Sequence, residues 1–348
     1  MGDILHALPA VTALRQLHPE WQIDWLVEPR WQSLLSAEGA ESATAARAHT
    51  AARPVVDRLH FAATKTWRKA PLSRETRQEV GALRKALKAA RYDAVLDLQG
   101  AIRSAILARM AAGKRLIGED SPREHAARWL FTERIRTQGT HVIEQDCELA
   151  SAVAGDALQP VTPLLPVDPA AEQWADPILP VNAVQPAVLI NPGAGWGAKC
   201  WPAERYAAVA QGLIERGCQI FINAGPGEEP LAEIIVAATQ GAARPVVCTL
   251  PQLIALTRRV ALAVAGDTGP LHLACALGRP VVGIYGPTDP SRNGPFGTRF
   301  QVLRSPESRR DHTRHAAPEA GLLTIQPAEV LRAAVALLYP EETAETPR

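Results

Sequence analysis

Short runs of apolar and β-branched residues alternate along this chain with longer stretches in which apolar positions recur every three or four residues. The first pattern marks buried strands and the second amphipathic helices. In the first half, Ile4 to His18 reads as a helix, Gln22 to Val27 as a strand and Val55 to Phe61 as a second strand. Arg74 to Ala90 follows as a strong helix, with Val80, Leu83, Leu87 and Ala90 at helical spacing. Tyr92 to Leu98 is a strand, Ser104 to Met110 a helix, Arg115 to Gly118 a strand and Val142 to Val153 a helix. Between Gly155 and Pro186 the texture changes to seven prolines, from Pro160 to Pro186. Proline fixes φ and removes a donor, so this stretch is read as a linker without regular core structure. The second half restarts the alternation. Strands are predicted at Ala187 to Ile190, Gln219 to Ile222, Val246 to Cys248, Ala261 to Ala265 and Val281 to Tyr285. Helices are predicted at Ala203 to Arg216, Glu228 to Thr239, Leu253 to Arg259, Leu271 to Leu277 and, last, Ala328 to Leu338.

Strand–helix alternation of this kind predicts an α/β protein with parallel sheets covered on both faces. With 348 residues the chain is too long for one ordinary core. The expectation is two Rossmann-like, doubly wound domains facing a cleft. They span 1–158 and 187–348, joined by the proline-rich linker 159–186, with the last helix able to pack back on the first domain. Ligands of such sheets sit beyond the carboxyl ends of the strands. The loops just after each strand are therefore where chemistry is expected.

Composition narrows the function by exclusion. A net charge of +1 gives no whole-protein field of the kind that marks a nucleic-acid binder. No apolar run reaches the roughly 20 residues that span a bilayer, so membrane contact is expected to be peripheral. Met1-Gly2-Asp3 puts an acid where a signal peptide would be basic, and none is expected. The five cysteines are an odd number, dispersed and without C-x-x-C, which reads as reduced thiols.

Several post-strand loops carry groups that could do chemistry. After Ala265 comes Gly266-Asp267-Thr268-Gly269-Pro270-Leu271-His272. Pro270 suits the first turn of a helix, and the free N–H groups of that turn form an anion site, with Thr268 as an added donor. A diphosphate clamp and a plain cap by Asp267 or Thr268 over a buried His272 fit this spacing equally. After Ile190 comes Asn191-Pro192-Gly193-Ala194-Gly195-Trp196-Gly197-Ala198-Lys199-Cys200-Trp201-Pro202. It lacks the Gly-Lys-Ser/Thr of a Walker A loop and the third glycine of G-x-G-x-x-G. It serves either as a phosphate loop with Lys199 as counter-charge or as a flexible turn with a solvated lysine. In Asn223-Ala224-Gly225-Pro226-Gly227-Glu228-Glu229, Glu228 or Glu229 could meet ribose hydroxyls. Acids at a helix start are favoured by the dipole in any case. Asp3 serves as a base or as an N-cap, and read alone the cap is the better fit. Arg68 and Lys69 beside Trp67, and Arg123, are local basic patches that either meet anions or remain solvated. His312 and His315 have a metal-like spacing but no carboxylate or cysteine companion, so no metal site is assigned.

Taken together these segments resemble the lipopolysaccharide heptosyltransferases of glycosyltransferase family 9, which have the GT-B fold. Asp267-Thr268-Gly269-Pro270-Leu271-His272 resembles the family's most specific signature, and Lys199-Cys200-Trp201-Pro202 its K-x-W-P. Within the family, the first half is most similar to the heptosyltransferase I members, through Ile23 to Glu28, Trp67-Arg68-Lys69, Tyr92 to Gly100 and Ser121 to Glu124. The resemblance implies inverting transfer of heptose from ADP-L-glycero-D-manno-heptose to the Kdo of lipid A in inner-core biosynthesis. It implies no cofactor and no obligatory metal, and a protein at the cytoplasmic face of the inner membrane. Asp3 matches the catalytic aspartate. Lys199 is implied as a catalytic stabiliser of the departing phosphates. Donor contacts are implied for Asn191, Gly193, Lys199, Glu228, Glu229, Asp267, Thr268, Gly269, Pro270 and His272. Acceptor contacts are implied for Arg68, Lys69 and Arg123. The alternatives are heptosyltransferase II, another transferase of the family, or a truncated donor-binding remnant. Family members carry a β-strand ahead of Met-Gly-Asp. Here Met1 is the motif methionine, so the expectation is a first domain without its first strand and a start site placed too far downstream.

Overall fold

The computed structural model describes residues 1–39, 49–309 and 315–340. The chain forms two units, one running through Val167 and the other from Asp168 onward.

The first unit contains, in order, α1 (Gly2–Leu17), β1 (Asp24–Val27), β2 (Arg58–Phe61), α2 (Thr64–Lys69), α3 (Arg74–Ala90), β3 (Ala94–Leu96), α4 (Ile102–Met110), β4 (Arg115–Glu119), β5 (Glu133–Ile135) and α5 (Val142–Ala154). Local chemistry explains the sharpest boundaries. Ser73 caps α3 by accepting the Thr76 N–H at 3.1 Å, and Arg91 ends it in the left-handed region at φ 54°. Leu83 and Leu87, one turn apart, are the buried face.

The strands of this unit lie in two parallel sheets. One is β1-β2, with Asp24 opposite Arg58 and Val27 opposite Phe61, and the other is β3-β4-β5. β1 and β3 share no hydrogen-bonded ladder, but their side chains share partners. Ile23, just before β1, and Leu96 on β3 pack on the same cluster of Ala10, Leu14, Cys147 and Ala150, between α1 and α5. Leu26 and Val95 both join Leu83 and Leu87 of α3. Buried Arg15 ties the end of α1 to the strand entries. Its Nε donates to the Val55 carbonyl at 2.9 Å, its Nη1 to those of Pro19 and Trp21, and its Nη2 pairs with Asp57 at 2.5 Å.

The second unit contains α6 (Pro169–Ala175), β6 (Ala187–Asn191), α7 (Ala203–Ile214), β7 (Gln219–Asn223), α8 (Glu229–Ala238), β8 (Arg244–Val246), α9 (Leu250–Thr257), β9 (Leu262–Gly266), α10 (Gly269–Ala276), β10 (Val281–Tyr285), α11 (Pro290–Asn293), β11 (Phe300–Arg304) and α12 (Pro327–Leu338). Its sheet has six parallel strands in the order β11-β10-β9-β6-β7-β8. The chain winds one way from β6 to β8, then crosses back and winds the other way from β9 to β11. Strand order therefore reverses between β6 and β9, where the connections leave in opposite directions and open a crevice at the carboxyl ends. β6, β9 and β10 are buried at every residue, as expected for a sheet covered on both faces.

The structure adds three points to the sequence expectations. The proline-rich stretch is not wholly irregular. Pro169 occupies the first turn of α6, where its missing N–H costs nothing, Asp168 caps that helix, and Ala171 and Ala175 are buried. The sheet has a sixth strand, β11. And α12 packs into the second unit's own core, with Val330, Ala334 and Leu337 among Val209, Ala210 and Leu213. Gly212 leaves the space that Leu331 fills, since a Cβ there would lie 2.5 Å from Leu331 Cδ2. No helix among the described residues is long and apolar enough to cross a membrane.

Candidate functional site

The second unit presents two loops at its switch point, one after β6 and one after β9. Asn191 closes β6. Its buried side chain accepts from the Asn223 amide and donates to the Gly193 carbonyl at 3.3 Å. Asn223 Oδ1 in turn accepts from the Cys248 thiol at 3.6 Å. These bonds commit Asn191 to fixing the start of the loop. Gly193 leaves room for Glu228: a Cβ there would overlap the Glu228 carboxylate at 2.0–2.1 Å. Glu228 Oε2 also accepts the Gly225 N–H at 2.9 Å. Glu228 is thereby folded against the β6 loop, while Glu229 is exposed on the first turn of α8. The sequence left these two acids as equals, and the fold separates them.

The rest of the β6 loop is held from outside. The Ala198 N–H donates to the His315 carbonyl at 3.0 Å, and the Ala198 carbonyl accepts from the Glu319 N–H at 3.2 Å. Gly197 is required there because a Cβ would lie 1.7 Å from the Ala316 carbonyl oxygen. Buried Trp201 donates from Nε1 to the Ile325 carbonyl at 3.3 Å. This strap delivers Lys199 to the β9 loop. Its Nζ lies 2.5 Å from Asp267 Oδ2 and 5.2 Å from the centre of the Trp196 ring.

Asp267 is the hub of this half. Its other oxygen meets His272 Nε2 at 3.2 Å. Burial opposes its ionisation, yet the hydrogen bond and charge of His272, together with Lys199, hold the carboxyl well below the usual carboxylate range. Thr268 is the residue before α10, but its hydroxyl bonds to the Gly266 carbonyl at 3.2 Å and does not cap the helix. Pro270 stands in the first turn, so the amides of Gly269 and Leu271 at the helix start face outward without intrahelical partners. The plain-cap reading of Asp267 and Thr268 is not what the structure shows. What it shows is a Lys–Asp–His cluster beside the start of α10, whose first N–H groups have no intrahelical partners.

In the first unit, Asp3 lies within the first turn of α1, where Met1 is the N-cap, so the N-cap reading of Asp3 is set aside. Its carboxylate is 55% exposed, accepts from Gln99 Nε2 at 2.8 Å and lies 3.8 Å from Arg123 Nη1. Two acids given no role from sequence lie near this corner. Asp97, at the end of β3, accepts from the Gln99 and Gly100 N–H groups and from Ser104, shaping the turn that presents Gln99. Burial pushes its carboxyl up despite those bonds. Asp146 on α5 is buried, its Oδ2 has no partner among the described residues, and burial and the charges of Asp3, Glu119 and Asp97 raise it well above the usual range. A lone acid in a helical pattern gave no signal of this. Arg68 and Lys69 are exposed in the last turn of α2. Of the rejected histidine pair, His312 lies outside the described residues. All five cysteines are free thiols.

A parallel sheet whose strand order reverses between β6 and β9, with a Lys–Asp–His cluster at that point, defines a doubly wound α/β protein. Comparison with known proteins places it further. Residues 80–322 match glycosyltransferase family 9 (heptosyltransferase). Lipopolysaccharide heptosyltransferase 1 of Escherichia coli (strain K12) is 33% identical over 88% of this chain and 91% of that protein. Lipopolysaccharide heptosyltransferase 3 of Escherichia coli is 26% identical over 99% and 98%. The solved E. coli heptosyltransferase WaaC with ADP superposes with a TM-score of 0.76 at 27% identity, covering 97% of each chain. WaaC with ADP-2-deoxy-2-fluoro heptose gives 0.71 at 29% identity, over 89% of this chain and 92% of that one. The chain belongs to glycosyltransferase family 9, the heptosyltransferases, an enzyme family with the GT-B fold.

Proposed function

We propose that this enzyme is a lipopolysaccharide heptosyltransferase of type I, moving heptose from ADP-L-glycero-D-manno-heptose to the Kdo of lipid A. The observation that carries the donor half is the Lys199–Asp267–His272 cluster at the start of α10. The relative solved with an ADP-heptose analogue supports the same donor. The type rests on 33% identity over 88% of this chain to a heptosyltransferase 1, against 30% over 54% to a heptosyltransferase 2 and 26% over 99% to a heptosyltransferase 3.

In this reading the site residues divide the work. Asp3, exposed and accepting from Gln99, takes the proton from the acceptor hydroxyl as that oxygen attacks the anomeric carbon. The new C–O bond forms on the face opposite the breaking bond to phosphate, so the configuration inverts. The transition state carries oxocarbenium character. Lys199, the Thr268 hydroxyl and the amides around Gly269 receive the charge that develops on the departing ADP, which gives the cation role to the protein and leaves no obligatory metal. Pro270 sets the first turn so that those amides face the diphosphate. Glu228, folded against Gly193, holds ribose hydroxyls, with Asn191 fixing the loop and Glu229 standing outside. Arg68, Lys69 and Arg123 meet the anionic acceptor, and Arg123 also orients Asp3. A lipid-anchored acceptor places the work at the cytoplasmic face of the inner membrane.

The test is transfer from ADP-heptose to two acceptors, Kdo-lipid A and the same molecule already carrying one heptose. Product only from the first establishes type I. Product only from the second gives type II. ADP binding with no product from either reduces the protein to a donor-binding remnant.

A further inference from the structure

Between α2 and α4 the first unit has an open groove of about 430 Å³. That volume is in the range of small-molecule sites. Its walls are apolar: Trp67 on one side, and Ile102, Ile106 and Leu107 on the other. Ile102 and Ile106, one turn apart on α4, are 40% and 51% exposed. A surface helix ordinarily presents polar residues at such positions. The polar edge of Trp67 is already satisfied, since Nε1 donates to Glu79 at 2.6 Å, which leaves the ring as wall. Glu124, the acid of the lining, is engaged as well, accepting the Ile102 N–H at 2.8 Å. The rim is cationic. Arg103 lines the groove, and Arg68, next to Trp67 on α2, is exposed.

An apolar trough with a cationic rim complements a molecule with a hydrocarbon chain and an anionic head. We propose that this groove seats one acyl chain of the phosphorylated lipid acceptor, with the rim cations meeting its phosphate. This rests on the acceptor being lipid-anchored, as in the function proposed above. A single chain fits a trough; a flat bilayer surface does not. The groove thus measures whether the sugar acceptor still carries its lipid.

Two measurements on the full chain test this. In the first, decyl phosphate and inorganic phosphate are titrated below the micelle concentration into the wild type and Ile106→Glu. Decyl phosphate binds the wild type, and shortening the chain weakens it by about fourfold per methylene removed. Ile106→Glu weakens decyl phosphate at least about tenfold, the effect expected of two or more methylenes, and by far more than it weakens inorganic phosphate, which feels only the added charge. Equal binding to both proteins overturns the proposal. In the second, transfer is measured with acylated and fully deacylated Kdo-lipid A. Ile106→Glu raises KM for the acylated acceptor alone and leaves kcat unchanged. Equal impairment with both acceptors overturns the groove's role. So does a variant that keeps its KM for the acylated acceptor but no longer binds phosphatidylglycerol vesicles, which would make this face a bilayer contact. If the wild type uses neither acceptor, yet decyl phosphate binding is lost in Ile106→Glu, the groove stands and the assigned acceptor falls.

Discussion

Lys199 sits between a carboxylate and an indole, and both neighbours bear on what its removal does. Lys199→Ala takes away one preorganised cation and leaves buried Asp267 with His272 alone. Transfer should slow on the order of 10²-fold or more, as with loss of one oxyanion stabiliser. A normal kcat/KM would move the phosphate clamp elsewhere. Asp3→Asn keeps the shape and the Gln99 contact but cannot accept a proton at neutral pH. It should abolish transfer while ADP affinity, measured by calorimetry, stays near that of the wild type. A near-normal rate would rule out the base assignment. Spacing alone left both residues with a structural reading equal to or better than the functional one. Resemblance lifted them, and geometry then showed Lys199 reaching across 68 residues of sequence to Asp267. Gln99 and Asp97 were inside a quoted motif without a role. Their importance comes from a turn that brings Gln99 to a partner 96 residues away, which no local pattern records.

At the scale of elements, legibility followed burial. α3 and β10 were read to the residue, because one has a capped amphipathic pattern and the other is apolar throughout. β11 was missed because its residues are exposed or half-buried at the sheet edge. β8 begins two residues before the predicted Val246, with Pro245 inside it, which an edge strand tolerates. α2 has no buried residue and α6 lies among prolines, so neither shows a helical stripe. The buried acid of α5 yields a prediction at this scale. Because Asp146 is held above its ordinary value of 3.8, the folded chain keeps a proton that the unfolded chain releases. Its contribution to stability therefore falls as pH rises from about 4, by up to about 1.4 kcal/mol per pH unit until the folded carboxyl ionises. Asp146→Asn has no such proton to lose. Its stability advantage over the wild type in urea unfolding should grow between pH 4 and pH 7. An advantage that does not change with pH would mean that Asp146 ionises as an ordinary carboxylate.

For the whole molecule, the proposed function divides the labour between a first unit with Asp3 and exposed cations and a second with the Lys199–Asp267–His272 cluster. If Lys199 and the α10 amides supply the charge that a divalent cation provides elsewhere, EDTA leaves the transfer rate unchanged. A loss restored by Mg²⁺ would assign that role to a metal. The α/β class, the strand–helix order of the second unit and its two switch-point loops were all legible, because a buried parallel sheet writes itself as apolar runs. The closure of the β6 loop was not, because it depends on residues more than a hundred positions further on. That strap has a temporal consequence. Ribosomes release a chain from its N-terminus at roughly 5–20 residues per second. The Ala198 backbone bonds to His315 and Glu319, and the Trp201 indole N–H to Ile325. The loop that delivers Lys199 to Asp267 therefore closes only after His315 to Ile325 have been made, and a nascent chain stalled before His315 would carry both switch-point loops yet lack the strap that aligns them.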